Sequence, residues 1–388
     1  MAMSLLARAR SASLWLFANW RRVIGVLLGL VSAGLAGAAL FAWLGVYNVA
    51  ASTGHFHIVD LILRFGMENS VKARAPDTTL PSADDADLIR LGAGHFHSGC
   101  AYCHGAPGIP ITPVSASMLP PPPDLAEKAG LWRDGELFWI VRHGLKYAGM
   151  PGWPALERQD EIWALVAFLR RLPSLDPTEY RALALGEVKI ESRDGLAIAT
   201  GQVPLDAVGA CARCHGADEA PPSRLVPTLH GQSRDMIVGA LKSYAAGERP
   251  SGVMQMAASG LSERAIQQLA AFYATLPQPA SSRPAGDPGA IERGAILARE
   301  GVPSRGVPSC LGCHGPQALP IYPRLAGQSA RYLSGQLGIW RAALNDRSET
   351  GRIMAPIARR LTPEEATDVA AFFASLSPSQ TLSGEPSP

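Results

Sequence analysis

Cys100-Ala-Tyr-Cys103-His104 is the stretch that decides the fold, and it recurs as Cys211-Ala-Arg-Cys214-His215 and Cys310-Leu-Gly-Cys313-His314. Together the three stretches contain all six cysteines of the chain. A Cys-x-x-Cys-His run is typical of covalent c-type haem attachment. Two thiols one helical turn apart can add to the two vinyl groups of one haem, and the adjacent histidine then ligates the iron. The spacing predicts three covalently bound haem c groups, held by Cys100, Cys103, His104, Cys211, Cys214, His215, Cys310, Cys313 and His314.

Three other uses of paired cysteines compete with this interpretation. A single pair could be a redox-active dithiol, two pairs could share a structural zinc ion, and exported cysteines could form disulfides. Zinc would leave one pair over, and none of these uses requires a histidine after every pair. Haem attachment is therefore preferred.

The N-terminal segment predicts that the rest of the chain is exported. Arg8, Arg10, Arg21 and Arg22 precede an apolar run from Val23 to Val46. Such a run reaches roughly 36 Å as a helix, enough to cross a hydrocarbon core of about 30 Å. The basic N-terminal side is expected to face the cytoplasm. An uncleaved anchor is preferred over a signal cleaved before Ser52, because signal cores are usually shorter, about 7–15 residues.

Composition excludes one class of partner and supports a helical fold. The formal net charge is only +2, with 35 Lys and Arg against 33 Asp and Glu, so a nucleic-acid partner is not expected. After each attachment site come a Pro- and Gly-rich loop, a methionine and an amphipathic helix. The helices expected at the ends of the repeats span Asp160 to Leu172, Ser262 to Leu276 and Thr362 to Leu376, and shorter helices precede the sites at Asp85 to Phe96, Asp206 to Ala210 and Gly289 to Glu300.

The chain resembles a known family, the class I cytochromes c. The second and third repeats are similar to diheme cytochromes of the c4 type. The stretches that carry this similarity are PTLHGQSRDMIVGALKSYAAGERPSG, from Pro227, and PRLAGQSARYLSGQLGIWRAALNDRSETGRIMAPIA, from Pro323. The first repeat, with its PPPPDL run and HGLKYAGMPGW, looks like the single-haem domains of membrane-bound cytochrome subunits. The resemblance covers roughly residues 85 to 376. It implies an all-α architecture, with an N-terminal transmembrane helix followed by three cytochrome c-type haem domains.

The resemblance also implies a methionine sulfur opposite each histidine, a pairing that raises the haem potential. Met150 is expected in the first repeat, with Met118 as its competitor, and Met354 in the third. The second repeat offers Met254 and Met256; Met254 is preferred because it lies seven residues before Leu261, as Met354 does before Leu361. The expected iron ligands are therefore His104, Met150, His215, Met254, His314 and Met354.

Secondary features around the haems follow from the same resemblance. A proline carbonyl is expected to orient each axial histidine; Pro227 and Pro323 fit, while the first repeat leaves Pro110, Pro113 and Pro120 to Pro123 open. The other histidines could in principle replace methionine as ligands, but they are expected to be surface or hydrogen-bonded residues. Four aromatic side chains could pack on haem edges, with ordinary core as the default. These histidines are His55, His57, His95, His97, His143 and His230, and the aromatics are Tyr102, Trp139, Trp153 and Trp340.

The expected organisation runs from the membrane outward. It consists of a cytoplasmic N-terminus (1–22), an anchor (23–46), a juxtamembrane stalk (47–84), haem domains at 85–174, 205–277 and 289–377, and a disordered tail (378–388). Pro173 to Leu205 and Pro277 to Pro288 are expected linkers, and the stretch GEVKIESRDG within the first is compatible with a short pair of strands.

Two functional classes follow from the ligand set. Histidine and methionine together fill both axial positions, so electron transfer without a catalytic site is favoured. The expected partners are a respiratory or periplasmic dehydrogenase or a quinol-oxidising complex on one side, and a terminal oxidase or soluble carrier on the other. The chain is expected in a bacterial inner membrane as a single-pass protein with its haem domains in the periplasm. The alternative is a haem enzyme, a peroxidase or small-molecule reductase, with one open axial site.

Overall fold

A computed structural model describes residues 20–50, 52–186, 205–217, 219–279, 286–342, 344 and 347–377. Over these residues the secondary structure is helical, and the extended contacts are isolated bridges rather than strands. The predicted all-α class is therefore confirmed. The chain divides into two units, residues 1–60 and 61–388. The predicted strand pair within 186–195 lies outside the described residues from residue 187 on, as does the tail after residue 377.

The first unit contains the apolar helix α1, Trp20–Trp43. It begins three residues before the predicted span and includes Arg21 and Arg22 in its first turn. Its 24 residues reach a mean hydropathy of 2.3 over the most apolar window, and none is buried. It is the one helix in the described part of the chain that is long and apolar enough to cross a membrane. A signal sequence would share these properties.

Helix α2, His57–Arg74, falls within the predicted stalk. Its apolar side chains Ile58, Leu61, Ile62 and Phe65 are exposed, whereas Val71 near its end is buried. An acidic residue in the first turn, Asp60, and basic residues in the last turn complement the helix dipole.

The first repeat is built on two crossing helices. They are α3, Ala86–Gly99, and α8, Gln159–Arg171; between them lie α4, Ala101–His104, α5, Pro113–Ala116, α6, Leu125–Lys128, and α7, Asp134–His143. Gly92 lets the helices meet, since a Cβ there would lie 1.9 Å from the carbonyl oxygen of Ala164. Around this crossing lie the buried side chains Phe96, Leu137, Phe138, Ile162, Leu165, Phe168 and Leu172.

A further helix, α9, Pro177–Leu185, completes this repeat. Its residue Tyr180 is fully buried against Phe96 and Phe168. The segment from Pro173 was expected to be a linker. The structure instead folds its first part onto the core, because Asp176, Pro177 and Glu179 form a capping box with a first-turn proline and so start a helix.

Where the structure describes the second repeat, its helices are α10, Leu205–His215, α11, Arg234–Ala245, α12, Met254–Ser259, and α13, Glu263–Thr275. Helix α10 runs unbroken through the attachment site instead of stopping near Ala210 as predicted. Ser262 caps α13 as predicted, its hydroxyl accepting the Ala265 N–H at 3.2 Å. The core is small and includes Ile237, Leu241, Ile266 and Tyr273.

The third repeat contains α14, Pro288–Glu300, α15, Leu311–His314, α16, Ala330–Arg341, α17, Glu349–Arg360, and α18, Pro363–Ser375. Helices α14 and α18 cross as α3 and α8 do, and a Cβ on Gly294 would lie 2.0 Å from the carbonyl oxygen of Asp368. The predicted capping box at Thr362 and Glu365 is present.

Candidate haem sites

Each attachment motif lies on a helical turn that brings its two cysteines and histidine to one side. The His104 N–H donates to the Cys100 carbonyl at 2.9 Å, and the His314 N–H to the Cys310 carbonyl at 2.8 Å. In the second repeat the motif forms the end of α10. All six cysteines are partly buried and unpaired.

The surroundings of the thiols argue against a redox-active dithiol. Burial raises the pKa of Cys100 to about 12, and those of Cys211 and Cys310 to about 11. Reactive dithiols need the opposite shift, because the thiolate is the nucleophile. Zinc is not favoured either, since no three His, Cys, Asp or Glu side chains converge as metal ligands within the described ranges.

The histidines of the three attachment motifs are oriented in the same way. Their Nδ1 atoms lie 2.9 Å from the carbonyl oxygens of Pro123, Pro227 and Pro323 respectively. A carbonyl can only accept, so Nδ1 carries the proton and Nε2 keeps its lone pair for iron. Burial lowers the pKa of each histidine and so favours the neutral form that ligates. In the first repeat the structure selects Pro123 from the prolines that the sequence left open.

The candidate methionines differ in their surroundings. Met254 and Met354 are partly buried against the cores of their repeats, whereas Met256 is 64% exposed. Met150 lies in a tight loop closed by a hydrogen bond from the Leu145 N–H to the Met150 carbonyl at 3.0 Å. Met118 lies against that loop, because a Cβ on Gly149 would be 2.4 Å from its Cε.

Buried donors without a protein acceptor also fit a haem. The indole Nε1 of Trp340 and the Nε of Arg341 are buried and have no hydrogen-bond partner among the described residues. A buried donor left unpaired is costly, and each haem carries two propionate carboxylates that accept such bonds. The residues present therefore fit haem c, which would supply the one-electron redox chemistry of the chain.

Several of the remaining histidines have protein partners. The His97 Nδ1 lies 2.9 Å from the Tyr180 hydroxyl, and the His230 Nε2 lies 2.7 Å from the Ala217 carbonyl. His95 is buried beside Trp153, and burial lowers its pKa to about 3, so it is neutral.

The second and third repeats meet through two reciprocal glutamine contacts that the sequence analysis missed. Gln328 binds both backbone groups of Thr228, donating to its carbonyl at 2.6 Å and accepting its N–H at 3.0 Å. Gln232 does the same to Arg324, at 2.8 and 2.9 Å. Thr228 and Arg324 each follow a proline whose carbonyl lies against the histidine of an attachment motif. The repeated Gly-Gln-Ser at 231–233 and 327–329 was the available signal.

The first repeat meets both others through its helix α3. Asp87 accepts from the Arg224 Nε at 2.7 Å in the second repeat and from the Arg331 Nη1 at 2.7 Å in the third. Near the other end of α3, the Arg213 guanidinium donates to the Ser98 hydroxyl at 2.6 Å. A Cβ on Gly94 would lie 3.4 Å from the Cys214 sulfur. The attachment site of the second haem therefore lies against the helix that leads into the first.

Comparisons with known proteins identify the family. Residues 87–169 match the family model "Cytochrome C oxidase, cbb3-type, subunit III", and residues 293–377 match the model "Cytochrome c". The thiosulfate dehydrogenase electron acceptor of Stutzerimonas stutzeri is 32% identical over 204 residues, which are 52% of this chain and 94% of that protein. The chain is a multihaem class I cytochrome c.

Other relatives are named cytochrome c4. Cytochrome c4 of Thiocapsa roseopersicina is 35% identical to this cytochrome over 44% of the chain and 88% of its own length. The solved cytochrome c4 of Acidithiobacillus ferrooxidans is 32% identical, covers 43% of this chain and 98% of its own, and has a TM-score of 0.39. This cytochrome thus binds three haem c groups covalently and transfers electrons, as the three motifs predict.

Proposed function

We propose that this cytochrome is a membrane-tethered relay that passes electrons from a dehydrogenase through three haems to a terminal oxidase or soluble carrier. The observation that carries the proposal is the repeated site itself. Three attachment motifs, each with a proline-oriented histidine, lie in one unit whose repeats are joined by hydrogen bonds. Haems linked within one folded unit are suited to relaying electrons.

The proposed iron ligands are His104 with Met150, His215 with Met254, and His314 with Met354. The partly buried positions of Met254 and Met354 and the exposure of Met256 support this set. Two protein ligands leave no open position at any iron. Among haem enzymes, a peroxidase or small-molecule reductase would need such a position.

Carbon monoxide tests the closed ligand sets. The detergent-solubilised, dithionite-reduced protein is expected to contain three covalent haems per chain and to bind no carbon monoxide. Ready binding at any haem would favour the enzyme alternative, and fewer than three haems would contradict the attachment assignment.

A periplasmic dehydrogenase is the proposed electron donor, and one acting on thiosulfate is the first to test. Two relatives at 32% identity are named as electron acceptors of thiosulfate dehydrogenase. We expect a thiosulfate dehydrogenase plus thiosulfate to reduce the oxidised cytochrome, while thiosulfate alone does not. Failure of reduction would leave the quinol-oxidising complex as the donor to examine.

Tethering is proposed from helix α1, and the haem domains are placed in the periplasm of a bacterial inner membrane. The helix has the length and hydropathy of a membrane span, with Arg21 and Arg22 at its start. The mature protein is expected in washed membranes, and to keep residues before Ser52 when its N-terminus is sequenced. A soluble product beginning near Ser52 would show that the segment is a cleaved signal.

A further inference from the structure

One buried carboxylate joins the loops that carry two of the proposed methionine ligands. The first methionine loop, residues 144–153, contains Met150, and the second methionine loop, residues 250–254, ends at Met254. Glu161 lies between them, in the first turn of α8, and is only 4% exposed.

Glu161 accepts hydrogen bonds from both loops. Its Oε2 accepts the indole N–H of Trp153 at 3.0 Å and the backbone N–H of Gly252 at 2.7 Å. Its Oε1 accepts the hydroxyl of Ser251 at 2.6 Å. That hydroxyl oxygen in turn accepts the backbone N–H of Met254 at 3.1 Å. The carboxylate is therefore linked through the Ser251 hydroxyl to the backbone N–H of Met254. It is also bonded to the side chain of Trp153, three residues after Met150.

The charge of this carboxylate is balanced within the same network. Arg158 is 9% exposed, and its Nη1 lies 3.0 Å from the Glu161 Oε1. The same Nη1 donates to the Pro250 carbonyl at 2.9 Å, so the guanidinium also spans the two repeats. Burial raises the pKa of Glu161, while Arg158 and the donors from the second methionine loop act in the opposite sense. A buried network whose members are all paired holds one arrangement of the groups around it.

The loops are also in direct contact. A Cβ on Gly252 would lie 2.1 Å from the Cε2 of Trp153, so the indole rests on the glycine backbone. The contact leaves no room for a side chain at Gly252. A displacement of either loop is therefore transmitted to the other.

We propose that Glu161 is a positioning residue that holds both methionine loops in one arrangement, so that the axial ligands of the first and second haems are set jointly. The inference rests on the proposed ligation by Met150 and Met254. It makes these two haems a coupled pair across the boundary between unlike repeats, with the third haem outside the coupling.

The test uses the full chain in detergent, with the third haem as an internal reference. Spectroelectrochemistry follows three one-electron steps, which are assigned to individual haems with Met150→His and Met254→His variants. In Glu161→Ala we expect loss of the methionine–iron charge-transfer absorption at two of the three haems and carbon monoxide binding at the same two. Glu161→Gln, which keeps one acceptor oxygen, is expected to restore most of that absorption.

Two substitutions test the coupling from opposite sides. Gly252→Ala, in the second repeat, is expected to shift the potential of the first haem. Trp153→Phe, in the first repeat, removes the indole N–H from the network together with ring atoms that contact Gly252, and is expected to shift the potential of the second haem. A purely local structural role would move only the haem of the substituted repeat.

Glu136→Gln is the matched control. Glu136 is also 4% exposed and bonded to an arginine, accepting from the Arg133 Nε at 3.0 Å and from its backbone N–H at 2.8 Å, within the first repeat. It should leave the second haem unchanged. Haem content and circular dichroism confirm that each variant is folded; Glu161→Gln nearly conserves volume and keeps the test usable if Glu161→Ala does not fold.

The outcomes separate this inference from the proposed function. Suppose that the unaltered protein has methionine ligation at all three haems. If Trp153→Phe and the Glu161 variants then left the potential of the second haem unchanged, the inference alone would be overturned. Absence of methionine ligation from either of the first two haems of the unaltered protein would overturn the ligand set, and the inference with it.

Discussion

At the level of single residues, the two methionines of the second repeat differ in exposure. Met254 contacts the core, while Met256 is 64% exposed. We expect Met254→Leu to lower the potential of the second haem on the order of 0.1 V, because methionine ligation raises the potential and axial ligands span roughly 0.8 V. Redox titration measures the change.

Met256→Leu is the matched control for this substitution. It lies two residues away on the same short helix and should leave all three potentials unchanged. If Met256→Leu lowered a potential and Met254→Leu did not, the proposed ligand would be wrong.

At the level of helices, two glycines set the crossings that frame the first and third repeats. A Cβ on Gly92 or Gly294 would overlap a backbone carbonyl of the opposing helix, at 1.9 and 2.0 Å. Gly92→Ala and Gly294→Ala are each expected to lower the free energy of unfolding by roughly 1–3 kcal/mol, since the helices must move apart. Thermal unfolding followed by circular dichroism measures the loss.

Gly209 provides a control at the same scale. It lies on α10, and a Cβ there would have no atom within 4 Å. Gly209→Ala is expected to stabilise the helix by up to about 1 kcal/mol, because alanine loses less backbone entropy. If Gly209→Ala also lowered the free energy of unfolding, the losses in Gly92→Ala and Gly294→Ala could not be assigned to overlap at the helix crossings.

At the level of the whole molecule, an acidic pair at the start of α3 joins all three repeats. Asp87 is 9% exposed and binds Arg224 and Arg331, while Asp85 accepts from the Arg331 Nη1 at 2.9 Å. Asp87→Asn is expected to cost about 1.5–3 kcal/mol, the usual range for hydrogen bonds to charged groups. Limited proteolysis should then cut between the first repeat and the other two more readily than in the unaltered protein.

The same pair predicts an acid-sensitive junction. Hydrogen bonding from Arg331 lowers the pKa of Asp85 below 3.8; for Asp87, burial acts to raise the pKa, but the bonds from Arg224 and Arg331 prevail and lower it. Carboxylates with lowered pKa values stabilise the fold above their unfolded pKa and lose that contribution as the pH falls through the folded one. The junction should therefore loosen below about pH 4, and less so in Asp87→Asn. An equal acid response in both proteins, measured by proteolysis, would contradict this.

The sequence by itself determined the number of haems, the residues that attach them and the helical class. These follow from spacing within one helical turn and from local capping patterns, as at Thr362 and Ser262. It could not choose between Pro123 and its neighbouring prolines, because proline runs look alike locally. The capping box at Asp176 and Glu179 is a local signal for the start of α9, but the place of α9 on the core depends on burial of Tyr180 against α3 and α8.

Only the tertiary structure decided how the repeats are joined. Glu161 and Ser251 are 90 residues apart, Gln328 and Thr228 are 100 apart, and Arg331 and Asp87 are 244 apart. The repeated Gly-Gln-Ser points to Gln328, but no local pattern marks which residue is its partner or that of Glu161 or Arg331, since their hydrogen bonds exist only once the repeats pack and exclude water. The attachment of each haem therefore depends on residues that are close together in the sequence, while the connections between haem domains depend on packing.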